Sequence, residues 1–332
     1  MLTIPGRTMS AQPDLVLKNE DATSFLKTLS PNSIQCIVCD PPFGLGEDEF
    51  QKHYARDGTN TVEGYVTAPR SATEYQAWAA KWIHEFPRVL RSDGTAYIIC
   101  AWNHVADIEM AVRSAPAPHL EVLNHIIWKY NFGVYTQTKF VSSHYHILRI
   151  GIKGRKPAFY TRAYYNETDL TPDGKHKAQY ADLEDVWYIP KEYAPGAAKN
   201  INKLPDALVE KLVRYATKPG DTVADFFLGN FTTAYVARRL GRRFQGCELN
   251  PAAFAAHVAA VMAVVPDAEA PEEKASAKPA NAGKALTDEE RAKIKARFTE
   301  LYRDGATKKA VMATLETEFG RGHFSIVNIL KA

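Results

Sequence analysis

Residues 34–44 read Ile-Gln-Cys-Ile-Val-Cys-Asp-Pro-Pro-Phe-Gly, an apolar run that ends abruptly in an acidic residue and two prolines. This pattern predicts a buried strand that delivers Asp40 and Phe43 into a loop at its carboxyl end. Ligands of open α/β sheets bind at that edge. Proline has a fixed φ and no N–H, so the carbonyls of the turn are held rigidly. The alternative is an Asp-Pro turn followed by a core phenylalanine, and the tetrapeptide alone favours neither.

The composition is that of an ordinary globular chain longer than one average domain. The chain has 332 residues, of which 45% are hydrophobic and 24% charged. We therefore expect one large core with an appendage. The formal net charge of +3 permits a nucleic-acid partner without requiring one.

Neither a membrane span nor a disulfide framework is predicted. No run approaches the ~18 apolar residues of a spanning helix, and residues 1–12 lack an apolar signal core. Four cysteines are too few for a disulfide scaffold, and Cys36 and Cys39 lie inside the predicted strand with no further ligands for zinc. We expect reduced core thiols in a cytoplasmic protein with no metal.

Strands and helices alternate at lengths typical of a doubly wound, Rossmann-like, mainly parallel sheet. Ser71 and Glu74 form a capping box, which predicts an amphipathic helix that continues to Phe86. Residues 91–94 predict a turn before the next strand. We predict further strands at residues 95–100, 121–128, 145–152 and 243–247, and helices at 105–113 and 234–240.

A second motif follows the strand that begins near residue 221. Asp225 ends this strand, Gly229 lets the backbone approach a ligand, and the following helix offers free N–H groups. Glu248 comes 23 residues after Asp225, close to the spacing of a nucleoside-binding βαβ unit, and can accept from a ribose diol. Because no Gly-x-Gly-x-x-Gly is present, a nucleoside without phosphates fits better than a dinucleotide.

A basic and aromatic stretch lies between residues 149 and 165. It carries five basic residues and no acidic one up to position 162, which suits phosphate contacts with base stacking on the rim of the site. The alternative is a solvated insertion. The candidate DNA contacts are Lys153, Arg155, Lys156 and Arg162. His144 and His146 share the period of a strand, and without a third ligand we interpret them as structural.

The carboxyl-terminal part predicts a separate module. Residues 264–285 lack aromatic residues and are rich in Ala, Pro, Glu and Lys, which predicts a linker. Three short helices follow, and their near-balanced charge leaves open a helix-turn-helix DNA reader or a docking module. The predicted organisation is a main domain at 14–263 with a target-recognition insertion at about 153–200, the linker, and a small helical domain at 286–332.

Both motifs together resemble those of the β group of amino-group DNA methyltransferases. Residues 40–43, Asp-Pro-Pro-Phe, are similar to the Asp-Pro-Pro-Tyr acceptor motif, and residues 225–233 are similar to the Asp-Pro-Phe-x-Gly-x-Gly-Thr-Thr cofactor motif. The resemblance covers roughly residues 14 to 260, with the acceptor motif first. Phe226 replaces a usual proline and Phe43 a usual tyrosine. Phe231 stands at the usual second glycine, where a large side chain could crowd the turn, but Gly229 and the pair Thr232 and Thr233 are retained.

This resemblance implies the class I methyltransferase fold and S-adenosylmethionine as cofactor. It implies that Asp21 contacts the cofactor adenine, that Glu248 binds the ribose hydroxyls, and that residues 225–229 lie near the methionine end. The implied catalytic residues are Asp40, Pro41, Pro42 and Phe43. The implied cofactor-binding residues are Asp21, Ala22, Lys203, Asp225, Phe226, Phe227, Gly229, Asn230, Thr232, Glu248 and Asn250.

The chemistry of the acceptor turn agrees with the resemblance. An exocyclic amine on a heteroaromatic ring is a poor nucleophile, because its lone pair is delocalised. The Asp40 carboxylate and a Pro-Pro carbonyl can bind its two N–H groups and aim the lone pair at a methyl donor. Phe43 is expected to stack on a target base flipped out of double-stranded DNA.

Three functions remain open at this point. Adenine N6 is expected as the methyl acceptor, cytosine N4 uses the same two hydrogen-bond acceptors, and an inert nucleic-acid-binding relative would keep the sheet. The sequence does not fix the oligomeric state, so a homodimer is one option.

Overall fold

The computed structural model describes most of the chain in two compact units. The described residues are 14–44, 71–131, 133, 137–160, 184–192, 203–267, 287–303, 307–321 and 323–331. The units are Met1–Glu269 and Ala270–Ala332. The linker prediction falls largely on residues 268–286, which lie outside the described residues, and the domain boundaries stay a prediction. Among the described residues, no helix has the length and apolarity to cross a membrane.

An eight-stranded sheet forms the larger unit. The strands are β1 (Leu15–Asn19), β2 (Ile34–Cys39), β3 (Leu90–Cys100), β4 (Leu120–Lys129), β5 (His144–Ile152), β6 (Val186–Tyr188), β7 (Thr222–Asp225) and β8 (Arg243–Glu248). Their order is β1-β8-β7-β2-β3-β5-β4-β6. All pairs are parallel except those of β5 with β3 and β4. The predicted mainly parallel α/β fold is confirmed.

Helices cover both faces of this sheet. They are α1 (Ala22–Thr28), α2 (Ala72–Ile83), α3 (Phe86–Val89), α4 (Val105–Arg113), α5 (Asp206–Ala216), α6 (Thr232–Arg239) and α7 (Pro251–Met262). β2 lies between β7 and β3, and all six of its residues are buried. A central parallel strand is covered on both faces, so its sequence is continuously apolar rather than alternating. Alternate residues of β2 accordingly enter two separate cores, Ile37 on one face and Val38 on the other.

The predicted helix from Ser71 to Phe86 is two helices. Ser71 caps α2, because its hydroxyl oxygen accepts from the Glu74 N–H at 3.3 Å. α2 ends at Ile83, and Phe86 begins the short α3, with Pro87 in its first turn. Proline has no N–H to continue an earlier ladder, but it fits the first turn of a new helix.

The turn predicted at residues 91–94 is wrong, because these residues belong to β3. The β2–β3 pairing changes register between Ile34 and Cys36. A Cβ on Gly94 would lie 3.1 Å from the Ile34 carbonyl oxygen, so glycine permits a close approach of two strands here. Glycine inside a strand marks such an irregularity as well as a turn.

The described residues of the smaller unit form three helices, as the sequence predicts. They are α8 (Asp288–Arg303), α9 (Lys308–Phe319) and α10 (His323–Lys331). Thr307 is the N-cap of α9, and its side chain accepts from the Ala310 N–H. Gly320 is the C-cap, with φ of 57°. Glycine is favoured at such a left-handed helix end. A separate small core joins the helices and consists of Ile294, Val311, Met312, Leu315, Ile326 and Ile329.

Because each unit has its own core, we expect a chain ending at Asp267 to fold. Its thermal unfolding should remain cooperative, with the melting temperature of the main transition of the full-length chain. Calorimetry of both proteins measures this. Loss of the cooperative transition in the truncated chain would show that residues beyond 267 stabilise the sheet.

Candidate active site

Four acidic side chains lie where adjacent strands of the sheet end. Asp40 follows β2, Asp225 ends β7, Glu248 ends β8 and Asp21 follows β1, and these four strands are neighbours in the order β1-β8-β7-β2. All of their pairings are parallel, so their carboxyl ends share one edge. The structure therefore brings together the residues that sequence reasoning selected from two distant motifs.

Two side chains from other elements hold the acceptor turn. The Tyr75 hydroxyl of α2 donates to the Pro42 carbonyl at 2.9 Å, and Asn103 Nδ2 donates to the Phe43 carbonyl at 3.1 Å. Tyr75 is buried and stacks on His104, with ring centroids 3.8 Å apart. No described residue donates to the Pro41 carbonyl, which leaves it as the available backbone acceptor of the turn.

The surroundings of Asp40 disfavour the charged form of its carboxyl group. Its side chain is half-buried, and its Oδ1 atom is inaccessible to solvent and has no hydrogen-bond partner among the described residues. Burial raises the pKa of Asp40 to about 7, while Lys191 acts in the opposite direction and Asp225 adds to the rise. A buried acceptor that lacks a donor is costly, so it marks a place where a ligand N–H can bind.

Phe43 is buried, with 4% of its surface exposed. Its ring packs against Tyr145 at the start of β5, with centroids 5.2 Å apart and planes tilted by 51°. In this conformation Phe43 is packed in the protein, and its ring face is not accessible to a base. Its expected stacking on a base stays a prediction, and it requires the ring face to become accessible.

The second motif forms a tight turn from β7 into α6. Asp225 Oδ1 accepts from the Phe227 N–H at 2.9 Å. Burial raises the pKa of Asp225 to about 7, although the bonds from Phe227 and Thr233 oppose the rise. Thr232 Oγ1 is buried and has no hydrogen-bond partner among the described residues.

Glu248 joins the two halves of this motif. Its Oε2 accepts from the Gly229 N–H at 2.7 Å, and its Oε1 accepts from the Asn250 N–H at 2.8 Å. Asn250 in turn caps α7, where its side chain accepts from the Ala252 N–H at 2.8 Å. Each carboxylate oxygen has a second lone pair, so Glu248 is oriented and can still accept from a diol.

Asp21 and Lys203 have structural partners. Asp21 caps α1, accepting from the N–H groups of Thr23 and Ser24 at 3.0 and 3.2 Å. Ala22, which follows it, is buried. Lys203 Nζ lies 2.9 Å from Oδ1 of Asp206, the first residue of α5. Their expected cofactor contacts stay predictions.

The large Phe231 side chain does not crowd the turn. Its φ is 60°, in the left-handed region that glycine adopts easily. Its side chain is buried against Phe254 and His257 of α7, with centroid distances of 5.8 and 5.7 Å. Packing between helices therefore stabilises the unfavourable backbone conformation.

The preceding aromatic residues of this motif also belong to the core. Phe226 packs against Phe25 and Phe86, and Phe227 packs against Trp78 and Trp82. Between them and the next helix, Gly229 is exposed and Asn230 is half-buried. The exposed part of this motif is thus its glycine turn and not its aromatic side chains.

The described part of the basic stretch, residues 149–160, does not lie on the rim of this site, so the expectation is wrong for that part. β5 is antiparallel to β3, so its beginning lies beside Cys100 and its end beside Ala96 and earlier residues. Lys153, Arg155 and Lys156 follow this end, about 20 Å along the strand from the acceptor edge at 3.3 Å per residue. Arg162 lies outside the described residues. Contact with DNA by these side chains stays a prediction.

His144 and His146 share one face of β5, as expected. Their ring centroids are 5.0 Å apart, and His146 Nδ1 lies 2.7 Å from Nε2 of His125 on β4. Burial, followed by the two neighbouring histidines, lowers the pKa of His146 to about 4. Among the described residues, no group of histidine, cysteine and carboxylate side chains has a metal-binding arrangement.

Sequence reasoning missed four residues around Asp40. Tyr75 was assigned only to a helix core, while Asn103, Tyr145 and Lys191 were not selected. Their placement depends on pairing between distant elements, so no local motif identifies them. The direction of β5 did have a signal, since the 14 residues between β4 and β5 show no helix pattern of the kind that joins parallel strands.

Comparison with known proteins gives consistent matches over this region. The family model described as DNA methylase, N6_N4_Mtase, matches residues 34–259. The Type II methyltransferase M2.DpnII of Streptococcus pneumoniae is 28% identical over 242 residues, 70% of this chain and 84% of the relative. The DNA adenine methyltransferase YhdJ of Escherichia coli (strain K12) is 25% identical over 248 residues, 69% and 76% of the two chains.

A solved structure shares the fold. The cytosine-N4-specific PvuII DNA methyltransferase superposes with a TM-score of 0.53 and 16% identity, covering 77% of this chain and 90% of that chain. At this identity the similarity shows the arrangement of strands and helices and not the reaction.

We expect Phe231→Gly to relax the backbone but to lose packing. Deleting a buried phenylalanine side chain costs about 3–5 kcal/mol, and relief of the left-handed conformation returns about 1–2 kcal/mol. The free energy of unfolding should fall by about 1–4 kcal/mol, measured by urea denaturation. Phe231→Leu, which keeps apolar volume, should lose less. An unchanged stability in Phe231→Gly would mean that the ring does not hold the turn.

Proposed function

Since the chain belongs to the DNA methylase family, whose model spans residues 34–259, we propose that it methylates the exocyclic N6 amine of adenine in double-stranded DNA. S-adenosylmethionine is the proposed methyl donor. The observation that carries the proposal is Oδ1 of Asp40, which is inaccessible to solvent and has no partner among the described residues, next to the backbone carbonyl of Pro41. Two fixed acceptors suit an amine with two N–H groups.

The polar side chains at the strand ends fit a nucleoside cofactor. Glu248 is oriented to accept from a ribose diol, and Thr232 has an inaccessible hydroxyl without a partner among the described residues. Acidic groups dominate this edge, which favours a cationic ligand over a phosphate-bearing one. The proposed cofactor-binding residues are Asp21, Ala22, Lys203, Asp225, Phe226, Phe227, Gly229, Asn230, Thr232, Glu248 and Asn250.

Within this set the proposed contacts differ in kind. Phe226 is fully packed, so we assign it a supporting role beneath the turn, whereas the exposed Gly229 allows close backbone approach. Asp21 contacts the adenine of the cofactor while it remains the cap of α1, because a carboxylate has lone pairs for both functions.

When bound, S-adenosylmethionine supplies an electrophilic methyl group on a sulfonium centre. The Asp40 carboxylate and the Pro41 carbonyl accept the two N–H groups of the target amine and hold the nitrogen lone pair toward that methyl group. The cofactor would supply the methyl group and would leave as its neutral thioether, and the methylated nitrogen would release one of its N–H protons to solvent. Asp40 stabilises the positive charge that develops on nitrogen before the proton leaves.

Adenine is proposed over cytosine because the relative YhdJ is named as a DNA adenine methyltransferase. Cytosine N4 is the second candidate, since it presents the same two N–H groups to the same acceptors. The mechanism requires the base to leave the duplex, and we propose that Phe43 then stacks on it. The smaller unit contributes to DNA binding in this proposal, and a homodimer is compatible with it.

Asp40→Ala tests the role of the acceptor. We expect methyl transfer in single turnover to fall by at least about 10³-fold, because a preorganised charged acceptor is lost. Asp40→Asn keeps the shape but not the charge and should also be severely impaired. Cofactor affinity, measured by calorimetry, should stay within about threefold. Transfer at the wild-type rate by folded Asp40→Ala would refute the mechanism, and N4-methylcytosine as product would overturn the assignment of the base.

Tyr75→Phe tests the support of the acceptor turn. Removing the hydroxyl leaves the Pro42 carbonyl without its donor and should slow transfer by roughly tenfold through misplacement of the acceptors. Tyr97→Phe is the matched control, because that buried hydroxyl interacts with Arg149 instead. Equal rates in the two variants would mean that the turn keeps its geometry without Tyr75.

A further inference from the structure

Lys191 is a buried lysine beside the acceptor turn. Only 8% of its surface is exposed. Its ammonium lies over the rings of Tyr145, Tyr130 and Trp128, at 4.8, 4.9 and 5.8 Å from their centroids. Lysine is rarely buried without a compensating environment, and aromatic faces attract a desolvated cation.

The backbone around Lys191 is tied to the end of β4. The Trp128 indole N–H donates to the Ile189 carbonyl at 2.8 Å, and the Lys191 N–H donates to Asn131 Oδ1 at 3.1 Å. Trp128 therefore anchors the segment through its N–H and also faces the ammonium. The position of the charge is built into the fold and does not depend on a surface side chain.

Tyr145 links this cation to the acceptor turn. One ring contacts both Phe43, at 5.2 Å between centroids, and the Lys191 ammonium, at 4.8 Å. The titratable groups that interact with Asp40 come from several elements: Lys191 and Asp225 act on Asp40, and Asp40 in turn acts on Cys39 of β2, Cys100 of β3 and Tyr75 of α2. Among these described groups, Lys191 is the cation and the others are neutral or acidic.

We propose that Lys191 is a positioning residue that keeps the Asp40 carboxylate ionised in a buried site, and thereby able to accept from the target amine. This inference rests on the proposed function for its role in methyl transfer, but the electrostatic interaction between Lys191 and Asp40 does not. Burial lowers the pKa of Lys191 to about 8, and Asp40 opposes that change, so the lysine is charged where Asp40 loses its proton. Opposite charges favour each other's ionised form.

The direct test is the titration of the Asp40 carboxyl in the DNA-free, full-length protein. Carbon-13 NMR of protein labelled at the aspartate carboxyl resolves it, and Asp40→Asn identifies the resonance. In Lys191→Met the midpoint should rise by about one pH unit or more. Lys191→Arg should stay within a few tenths of wild type. Lys191→Gln provides a second neutral variant if the methionine variant fails to fold.

Lys211→Met is the matched control. Lys211 also lies over an aromatic ring, 4.2 Å from the centroid of Trp187, but it does not act on Asp40. This variant should leave the Asp40 midpoint unchanged. If both neutral variants of Lys191 titrate like wild type, or shift downward, the inference is overturned.

Single-turnover methyl transfer against pH connects the charge to the reaction. Ionised Asp40 is required, so the wild-type rate should rise with pH through about 7. In Lys191→Met the rate should rise only at higher pH, so that it is roughly tenfold below the wild-type rate at pH 6.5 and equals it by pH 9. If the Asp40 midpoint shifts in Lys191→Met but the wild-type protein never forms methyladenine, the interaction between Lys191 and Asp40 stands and the proposed function is refuted. If the wild-type protein forms methyladenine but the Asp40 midpoint does not shift in Lys191→Met, the proposed function stands and the inference about Lys191 is refuted.

Discussion

The structure depends on the burial of a carboxylate at the end of a fully buried strand. Burial raises the pKa of Asp40 and of Asp225 to about 7. Both groups bind protons more tightly in the folded chain than in the unfolded chain. The contribution of these two groups to the free energy of unfolding therefore falls as pH rises from about 4 to about 7 and is constant above it. The strand β2 is held by its two apolar cores while its end is electrostatically unfavourable, as expected where acceptors are prepared for a ligand.

Much of the site followed from sequence because parallel strands end at one edge. The apolar run before Asp40 and the motif from Asp225 to Glu248 predicted strand ends, and their adjacency in the sheet brought the carboxylates together. The effect of Phe231 on the turn did not follow from sequence, because it depends on α7, which supplies Phe254 and His257. A residue in an unfavourable backbone conformation cannot be evaluated without the side chains that pack on it.

The residues that surround the acceptor turn could not be predicted for a related reason. Tyr75 has the spacing of an ordinary core residue, and only the packing of α2 against the acceptor turn brings its hydroxyl to the Pro42 carbonyl. Lys191 follows a three-residue strand, β6, that has no strong pattern of its own. Local sequence specifies which face of an element is apolar, whereas these contacts depend on which elements meet.

The antiparallel direction of β5 decides which cations can act at the acceptor edge. Its beginning brings Tyr145 against Phe43 and beneath the Lys191 ammonium, while its end carries Lys153, Arg155 and Lys156 toward the opposite edge. Surface lysines and arginines that contact phosphates act through counterion release and weaken with salt. A buried ammonium is screened much less. The cation that supports the acceptor should therefore act almost independently of ionic strength, whereas DNA affinity should depend on it strongly, so the two effects of positive charge are separable in one protein.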